Sequence, residues 1–407
     1  MARTWSQGAY VHLLRTLMVS QQTAEDLDKG LADFLEKVLG TEFNESQRDQ
    51  LFLKVADGGL GMGSAVRRAV PAWTAAWEGG LHDLSQALGV ESWTEFALLC
   101  PQWKQAAAQQ DLKLAELTGK PLSPTRWEDA FERPQLKTQR VHSRAAADSH
   151  QKTWFAALPP EDQDRTHLAS GYGAGACLTP PEGEPPVDDK YFKVAVRRRL
   201  RCPTLVPQQS LTCCHRSRDG RPCGAVLPAD NGHHAVCCSR GGGTVARHGA
   251  VRDTLAAWLR DDLHMGLSVH TEQEVPRWHT ARERAVLDLV YAGPAANTVK
   301  MDVSVVDGAT THRGVRQAKW CLARRERTKH HRYPGPGLVP FVLDTRGRWG
   351  HEAMAWLRAV ARTVPQDLRA DAMARCRYKV SVALQRGVAD QVWSACWCHD
   401  RTRHRAT

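Results

Sequence analysis

The sequence lacks any stretch that is long and apolar enough to cross a membrane. A spanning helix needs about 20 predominantly apolar residues, and no run here reaches about 18. Residues 1–21 also lack the basic start and unbroken apolar core of a signal peptide. We therefore expect an intracellular protein with no membrane partner. In that compartment, closely spaced cysteines and histidines indicate bound metal rather than disulfides.

Two motifs of nucleotide chemistry are also missing. The glycine-rich residues 58–64 do not end in the Gly-Lys-Ser/Thr of a phosphate-binding loop, so they predict a tight turn between helices. No Tyr/Phe-x-Asp-Asp polymerase motif occurs, so the chain should not synthesise DNA. Acidic residues are in deficit, with 44 Asp and Glu against 55 Lys and Arg, which gives a formal charge of +11. That excess favours a polyanionic partner.

Composition divides the 407 residues into five segments. Apolar residues at three- and four-residue spacing predict a mostly helical region over 1–118. Pro, Asp, Ser and Gln predict a flexible linker over 119–200, which ends in a basic helix. Residues 201–245 are rich in Cys and His, which predicts a small zinc-binding module. Residues 246–365 alternate strand and helix patterns, which predicts an α/β (α+β) domain, and 366–407 predict a helix with a basic tail.

Five cysteines, with histidines among them, are crowded into residues 213–238. Four soft ligands in a tetrahedral array suit a structural Zn²⁺, which can fix a segment too small to fold alone. The preferred ligands are Cys214, Cys223, His234 and Cys238. Cysteines or histidines stand side by side at 213/214, 233/234 and 237/238, so either member of each doublet could be the ligand.

Two runs rich in β-branched residues each carry one acid: residues 285–291 contain Asp288, and residues 299–306 contain Asp302. Gly, Pro and Asn flank them, so they predict adjacent strands of a hairpin. A carboxylate inside such a strand is costly to bury without a partner. Two acids side by side repel each other, and a divalent cation with oxygen ligands relieves the repulsion. The hairpin therefore predicts a site for Mg²⁺ or Mn²⁺.

A basic, helix-like segment over 313–333 follows the hairpin. Phosphodiester hydrolysis requires an activated water and neutralised phosphate charge, which a carboxylate-bound Mg²⁺ supplies. A lysine beside the metal can orient or deprotonate the water. The candidates are Lys319, which requires a strand around it, and Lys329, which requires a helix. We prefer Lys329, because no clear turn separates this segment from Arg324 and Arg325.

Asp288 followed by Asp302-Val303-Ser304 resembles the PD-(D/E)XK restriction-endonuclease fold. In that fold, an acid on one strand and an acid-x-lysine on the next hold the metal. Here Leu287 stands where the motif has proline, and Ser304 stands where it has lysine. One subfamily, the restriction-like endonuclease of site-specific non-LTR retrotransposons, moves the lysine to the following helix.

The chain resembles that subfamily in the order of its features. They are a Cys-Cys-His-Cys knuckle over 214–238, Arg247 with His248 at a helix start, Asp288, Asp302, and Lys329 with Tyr333 four residues later. The gap from Cys214 to Cys223 is wider than in the family. The helical residues 1–118 resemble, less specifically, the region after the polymerase core of such elements.

The resemblance implies the C-terminal part of a retrotransposon protein that nicks DNA in the nucleus with Mg²⁺ or Mn²⁺. Its catalytic residues would be Asp288, Asp302, Lys329 and Tyr333, with both acids as metal ligands. Basic positions would hold the DNA, and the element's RNA is a further candidate partner: Arg197, Arg198, Arg199, Arg201, Arg247, His248, Arg324 and Arg325. The alternative is a catalytically inactive, zinc-dependent nucleic-acid-binding protein derived from the same element.

Overall fold

The computed structural model describes residues 11–135, 138–204, 211–227, 233–264, 268–281, 283–293, 298–309, 311–312, 315–316 and 318–396. The chain divides into two compact units. The first comprises Met1–Lys54 and Leu60–Leu158, and the second comprises Val55–Gly59 and Pro159–Thr407. Among the described residues, no helix is both long and apolar enough to cross a membrane.

The described elements of the first unit are all helices. They are α1 (Val11–Thr16), α2 (Gln21–Leu39), α3 (Glu45–Leu51), α4 (Ala65–Leu88), α5 (Trp93–Leu99), α6 (Pro101–Thr118), α7 (Arg126–Glu132) and α8 (Thr138–Ala157). An aromatic core joins three of them: the ring of Trp127 lies 6.4 Å from Trp73 and 5.1 Å from Trp103, edge to face in both cases. Such contacts stabilise beyond simple burial.

The glycine-rich residues 58–64 lead into the start of α4. Ser64 caps this helix, and its hydroxyl donates to the Asp28 carboxylate at 2.6 Å. The same carboxylate accepts the N–H of Ala65 at 2.6 Å. A carboxylate therefore already occupies the helix start, where a phosphate would otherwise bind. This arrangement agrees with a turn rather than with a phosphate-binding loop.

The second unit mixes helices and strands. Its helices are α9 (Pro160–Leu168), α10 (Asp189–Arg199), α11 (His233–Cys237), α12 (Gly243–Ala257), α13 (Cys321–Arg332), α14 (His351–Ala361) and α15 (Arg369–Cys396). Its strands are β1 (Leu211–Thr212), β2 (Val226–Leu227), β3 (His270–Glu274), β4 (Val286–Ala292), β5 (Thr298–Val306), β6 (Thr311–His312), β7 (Val315–Arg316) and β8 (Leu338–Asp344). Short 3₁₀ turns cover Val55–Asp57, Ala176–Leu178 and Pro276–Trp278, and a π-helical turn, Trp258–Asp262, continues α12.

The structure departs from the flexible linker predicted over 119–200. Those residues include α7, α8, α9 and α10, and the boundary between the two units falls at Leu158. Their composition is rich in Pro, Asp and Gln, but large apolar side chains stand between the polar ones. Trp127, Trp154 and Leu168 are all buried. These side chains supply the apolar surface that the segment needs to fold.

The central sheet of the second unit has the order β3-β4-β5-β8 in the described residues. The β3–β4 and β4–β5 pairs are antiparallel, whereas β5 and β8 are parallel and α13 lies between them in the sequence. Alternate side chains of the sheet pack into the largest core with α12, α14 and α15: Leu289, Tyr291, Met301, Val303, Phe341 and Leu343. Because side chains alternate along a strand, Asp302 and Ser304 face the opposite side, toward α13. A mixed sheet with helices gives the predicted α+β class.

Candidate functional site

The β4–β5 hairpin brings the two strand acids together. Its ladder pairs Leu289 with Met301, and one step further along it Asp288 comes opposite Asp302. The Oδ2 atom of Asp288 accepts the N–H of Val303 at 2.7 Å, so the side chain continues the ladder. Asp288 and Asp302 are 9% and 5% exposed. Both acids therefore sit inside the fold, where an unbalanced charge is costly.

Lys329 of α13 forms an ion pair with Oδ2 of Asp302. Burial is the largest influence on this acid and raises the pKa of Asp302; the Lys329 ammonium opposes the rise and nearby Asp288 adds to it. The net direction is upward. Lys329 thus balances a carboxylate that is difficult to ionise in this position.

The lysine comes from the following helix, and not from β5 itself. Two residues after Asp302, at the position where the restriction-endonuclease motif has lysine, the buried Ser304 hydroxyl accepts a hydrogen bond from Arg325 Nε at 3.2 Å. The alternative lysine, Lys319, is exposed in the turn that precedes α13. Lys329 is therefore the candidate lysine that the structure places at the acid pair.

His248 of α12 approaches the acids from another direction. Its Nε2 atom lies 3.2 Å from Asp288 Oδ2 and 3.1 Å from the carbonyl oxygen of Val303. The hydrogen bond with Asp288 raises the pKa of His248, against the opposing effect of burial. The sequence predicts that this imidazole contacts nucleic acid, but here its partners are a carboxylate and a carbonyl. Two oxygens thus converge on one ring nitrogen.

Tyr333 follows the last residue of α13, and its N–H donates to the Lys329 carbonyl at 2.8 Å. Its ring is buried against Trp278, with a centroid distance of 5.4 Å. Burial raises the pKa of Tyr333, and the negative charge of Asp302 adds to the rise. The side chain therefore packs in a small core and also lies within electrostatic range of the acids.

Several arginines that were expected to bind nucleic acid are instead structural. Arg198 is buried and donates to the Thr345 carbonyl at 3.3 Å, and the buried Arg199 donates to the carbonyls of Gly59 and Ala169 at 2.9 and 2.7 Å. These contacts satisfy backbone acceptors inside the second unit. Neither guanidinium faces solvent, so these two residues do not form the predicted phosphate-binding face.

Arg201 and Arg247 also have protein partners. Arg201 forms an ion pair with Asp162 at 2.9 Å. Arg247 is buried and donates to the Val236 carbonyl at 3.2 Å and to the Gln391 side chain. Arg197 is partly exposed, and both Arg324 and Arg325 are exposed. The basic surface that remains from the prediction is smaller, and much of it lies on α13.

The Cys- and His-rich segment forms a compact cluster. The ligand atoms of Cys213, Cys223, His234 and Cys238 all lie within 4.8 Å of one another. The first two residues lie inside a hairpin, after β1 and before its partner β2, and on either side of the inner pairing of Arg216 with Pro222. This hairpin accounts for the wide gap before Cys223. His234 and Cys238 are one helical turn apart at α11, and the Cys238 N–H donates to the His234 carbonyl at 2.8 Å.

The structure replaces Cys214 with Cys213 in the predicted ligand set. Successive side chains of an extended chain point to opposite sides, so only one member of the doublet can face the cluster. Cys213 is buried there, while the N–H of Cys214 donates to the Ala395 carbonyl at 2.8 Å. Three thiols and one imidazole at this spacing could hold a metal ion such as zinc.

A second group lies beside the first. The ligand atoms of His233, Cys237 and Asp307 also lie within 4.8 Å of one another. The sequence analysis does not predict Asp307 as a ligand. His233 and Cys237 could have been predicted, because the doublets 233/234 and 237/238 are one helical turn apart. Among the described residues, these two groups are the sets of three or more converging His, Cys and acidic ligands.

The comparisons with known proteins add no relative. No protein-family model matches the chain, and no curated protein sequence matches it. A functional assignment therefore depends on the site geometry.

Proposed function

We propose that this protein is a metal-dependent endonuclease that nicks DNA, and that it is a fragment of a non-LTR retroelement protein without a polymerase site. The observation that supports this most directly is the buried ion pair between Lys329 and Asp302, beside Asp288 on the paired strand. A lysine supplied by the next helix, rather than by the strand, is the arrangement that the sequence resemblance implies. Nuclear location follows from the proposed substrate.

Asp288 and Asp302 would hold Mg²⁺ or Mn²⁺. Both offer carboxylate oxygens, which these hard cations prefer. The convergence of Asp288 Oδ2 and the Val303 carbonyl oxygen on His248 Nε2 supports the fit, because the two oxygens lie close enough together to contact one shared atom. Burial raises the pKa of Asp302, and a bound cation would lower it by favouring the charged form. When bound, the ion supplies charge neutralisation at the phosphate and lowers the pKa of a water.

Lys329 acts beside the acids. Its ammonium is held by Asp302, with little freedom to move into solvent. From this position it orients the attacking water and offsets the negative charge that develops on the phosphoryl oxygens. The Tyr333 hydroxyl, which its raised pKa keeps protonated, donates a hydrogen bond to the phosphate or supports Lys329.

Other parts of the second unit would hold the DNA. Zinc in the Cys213 cluster fixes the hairpin and α11, which are too short to fold without it. Arg197, Arg324 and Arg325 contact phosphates, so binding weakens steeply with added salt. The element's own RNA presents the same phosphate chemistry and is a second candidate partner.

A plasmid-nicking assay tests the proposal. With Mg²⁺, the full chain should convert supercoiled plasmid to the open-circular form, and EDTA should abolish the reaction. Lys329→Ala should lose about 100-fold or more of the rate, while the matched surface variant Lys319→Ala should keep it. Loss of activity in Lys319→Ala but not in Lys329→Ala would transfer the lysine role to Lys319.

One observation favours the alternative of a catalytically inactive, zinc-dependent nucleic-acid-binding protein. Lys329 already balances Asp302, and His248 already contacts Asp288, so each acid has a side-chain partner without a metal ion. In that case the chain binds DNA in a salt-dependent way but does not cleave it. Mn²⁺ titration followed by electron paramagnetic resonance would then show no uptake that depends on Asp288 and Asp302.

A further inference from the structure

Helix α11 turns its two doublets toward two different clusters. His234 and Cys238 join Cys213 and Cys223, whereas His233 and Cys237 meet Asp307. Adjacent residues of a helix are rotated by about 100°, and residues four apart lie on one face. Each doublet therefore supplies one ligand atom to each cluster. A single metal ion at the first cluster would use only His234 and Cys238 and would leave His233 and Cys237 without a role as ligands.

The distances within the second group match metal coordination. His233 Nδ1 lies 3.2 Å from Asp307 Oδ2 and 3.8 Å from Cys237 Sγ. With Zn–N and Zn–O bonds of about 2.1 Å and a Zn–S bond of about 2.3 Å, a tetrahedron separates N from O by about 3.4 Å and N from S by about 3.6 Å. The corresponding separation in the first cluster, between Cys223 Sγ and His234 Nε2, is 3.4 Å.

Asp307 is held in the orientation that a ligand requires. Its side chain is 1% exposed, and its Oδ1 atom accepts from Arg346 Nη1 at 3.2 Å and from the N–H of Ala309 at 3.0 Å. Arg198 Nη2 lies 3.8 Å from Oδ2, the oxygen that faces His233. Carboxylates that ligate a metal are commonly oriented by hydrogen bonds of this kind. Cys237, by contrast, is exposed, so one side of the group is open to solvent.

We propose that His233, Cys237 and Asp307 bind a second zinc ion, with a fourth position open to solvent. The mixed N, S and O donor set suits Zn²⁺, and three protein ligands with one open position are typical of zinc sites that exchange a water or another small ligand. Because Asp307 directly follows β5, this ion links α11 to the end of the central sheet. None of its ligands belongs to the acid pair, so this inference does not depend on nuclease activity.

Zinc content measures the second site directly. The full chain, loaded with Zn²⁺ and dialysed against metal-free buffer, should contain about two zinc ions by mass spectrometry of the metal. Cys237→Ala and His233→Gln should each lower this to about one, because each removes a ligand of the second ion alone. Cys214→Ala is the matched control: it removes a neighbouring thiol that belongs to neither cluster and should keep about two.

Cobalt substitution separates the two ions. Thiolate-to-cobalt absorption should fall modestly in Cys237→Ala, which loses one thiolate, and the strong band of the three-thiolate cluster should persist. A persistent band also shows that the variant is folded. One zinc per chain in the wild type would overturn the inference and leave His233 and Asp307 as an ion pair. Two zinc ions in Cys237→Ala would also overturn it, by placing the second ion elsewhere.

Discussion

Replacing Lys329 with methionine removes the ammonium and keeps most of the length of the side chain. The side chains of Lys329 and Asp302 are each 8% exposed, so the variant leaves a buried carboxylate without its closest positive partner. Removing one member of a buried pair typically costs about 3–5 kcal/mol. We therefore expect the free energy of unfolding of the second unit to fall by about this amount at pH 7.5.

Protonation of Asp302 sets an upper limit to that cost. An aspartate with an ordinary pKa of about 3.9 requires about 1.36 kcal/mol to stay protonated for each pH unit above that value, which is about 5 kcal/mol at pH 7.5 and about 2 kcal/mol at pH 5.5. Burial already raises the pKa of Asp302. A group whose pKa is raised on folding favours the folded state at low pH and loses that contribution as pH rises through the raised value. The penalty of Lys329→Met should therefore grow with pH.

Urea unfolding combined with hydrogen exchange of the β5 amides measures this penalty at the two pH values. Adding Asp302→Asn to Lys329→Met should recover most of the loss, because it removes the unpaired charge. The exposed Lys319 provides the control, and Lys319→Met should change stability by less than about 0.5 kcal/mol. A loss below about 1 kcal/mol at pH 7.5, or a loss that does not depend on pH, would contradict an ionised Asp302 paired with Lys329.

Three further measurements examine other parts of the site. An NMR titration of the His248 imidazole should give a pKa above its ordinary value of 6.5. The contact with Asp288 therefore stabilises the fold fully at low pH, and this stabilisation is lost as pH rises through the raised pKa of His248. A titration midpoint at or below 6.5 would contradict the contact. Cys213→Ser should lower the zinc content and Cys214→Ser should not, and the reverse result would restore the predicted ligand. Arg198→Met should cost about 1–3 kcal/mol in urea unfolding, since it removes one of the two buried arginines that pair with Asp307 and leaves the other, Arg346, in place.

The sequence was sufficient to predict the acidic hairpin and the helix after it. Residues 285–291 and 299–306 correspond closely to Val286–Ala292 and Thr298–Val306, because β-branched residues between turn formers leave few alternatives. The basic segment 313–333 contains α13, in which Lys329 stands four residues before Tyr333. Local patterns thus determine these elements.

Features that depend on distant residues were not predictable in this way. A run of arginines ordinarily indicates a solvated helix face. Arg199 is instead buried and donates a hydrogen bond to the carbonyl of Gly59, which lies far away in the sequence. Which of Cys213 and Cys214 faces the cluster likewise depends on a distant residue, because the N–H of Cys214 donates a hydrogen bond to the carbonyl of Ala395. Asp307 becomes a candidate ligand only when the end of β5 is brought beside α11.

The nicking rate of Asp302→Asn relative to the wild type, on supercoiled plasmid in Mg²⁺, tests the proposed nuclease site most directly. Asparagine keeps the shape of the side chain but removes the charge that would hold the cation and pair with Lys329. We predict a loss of about 100-fold or more in rate, with DNA binding preserved. Equal nicking by the two proteins would contradict the proposed site.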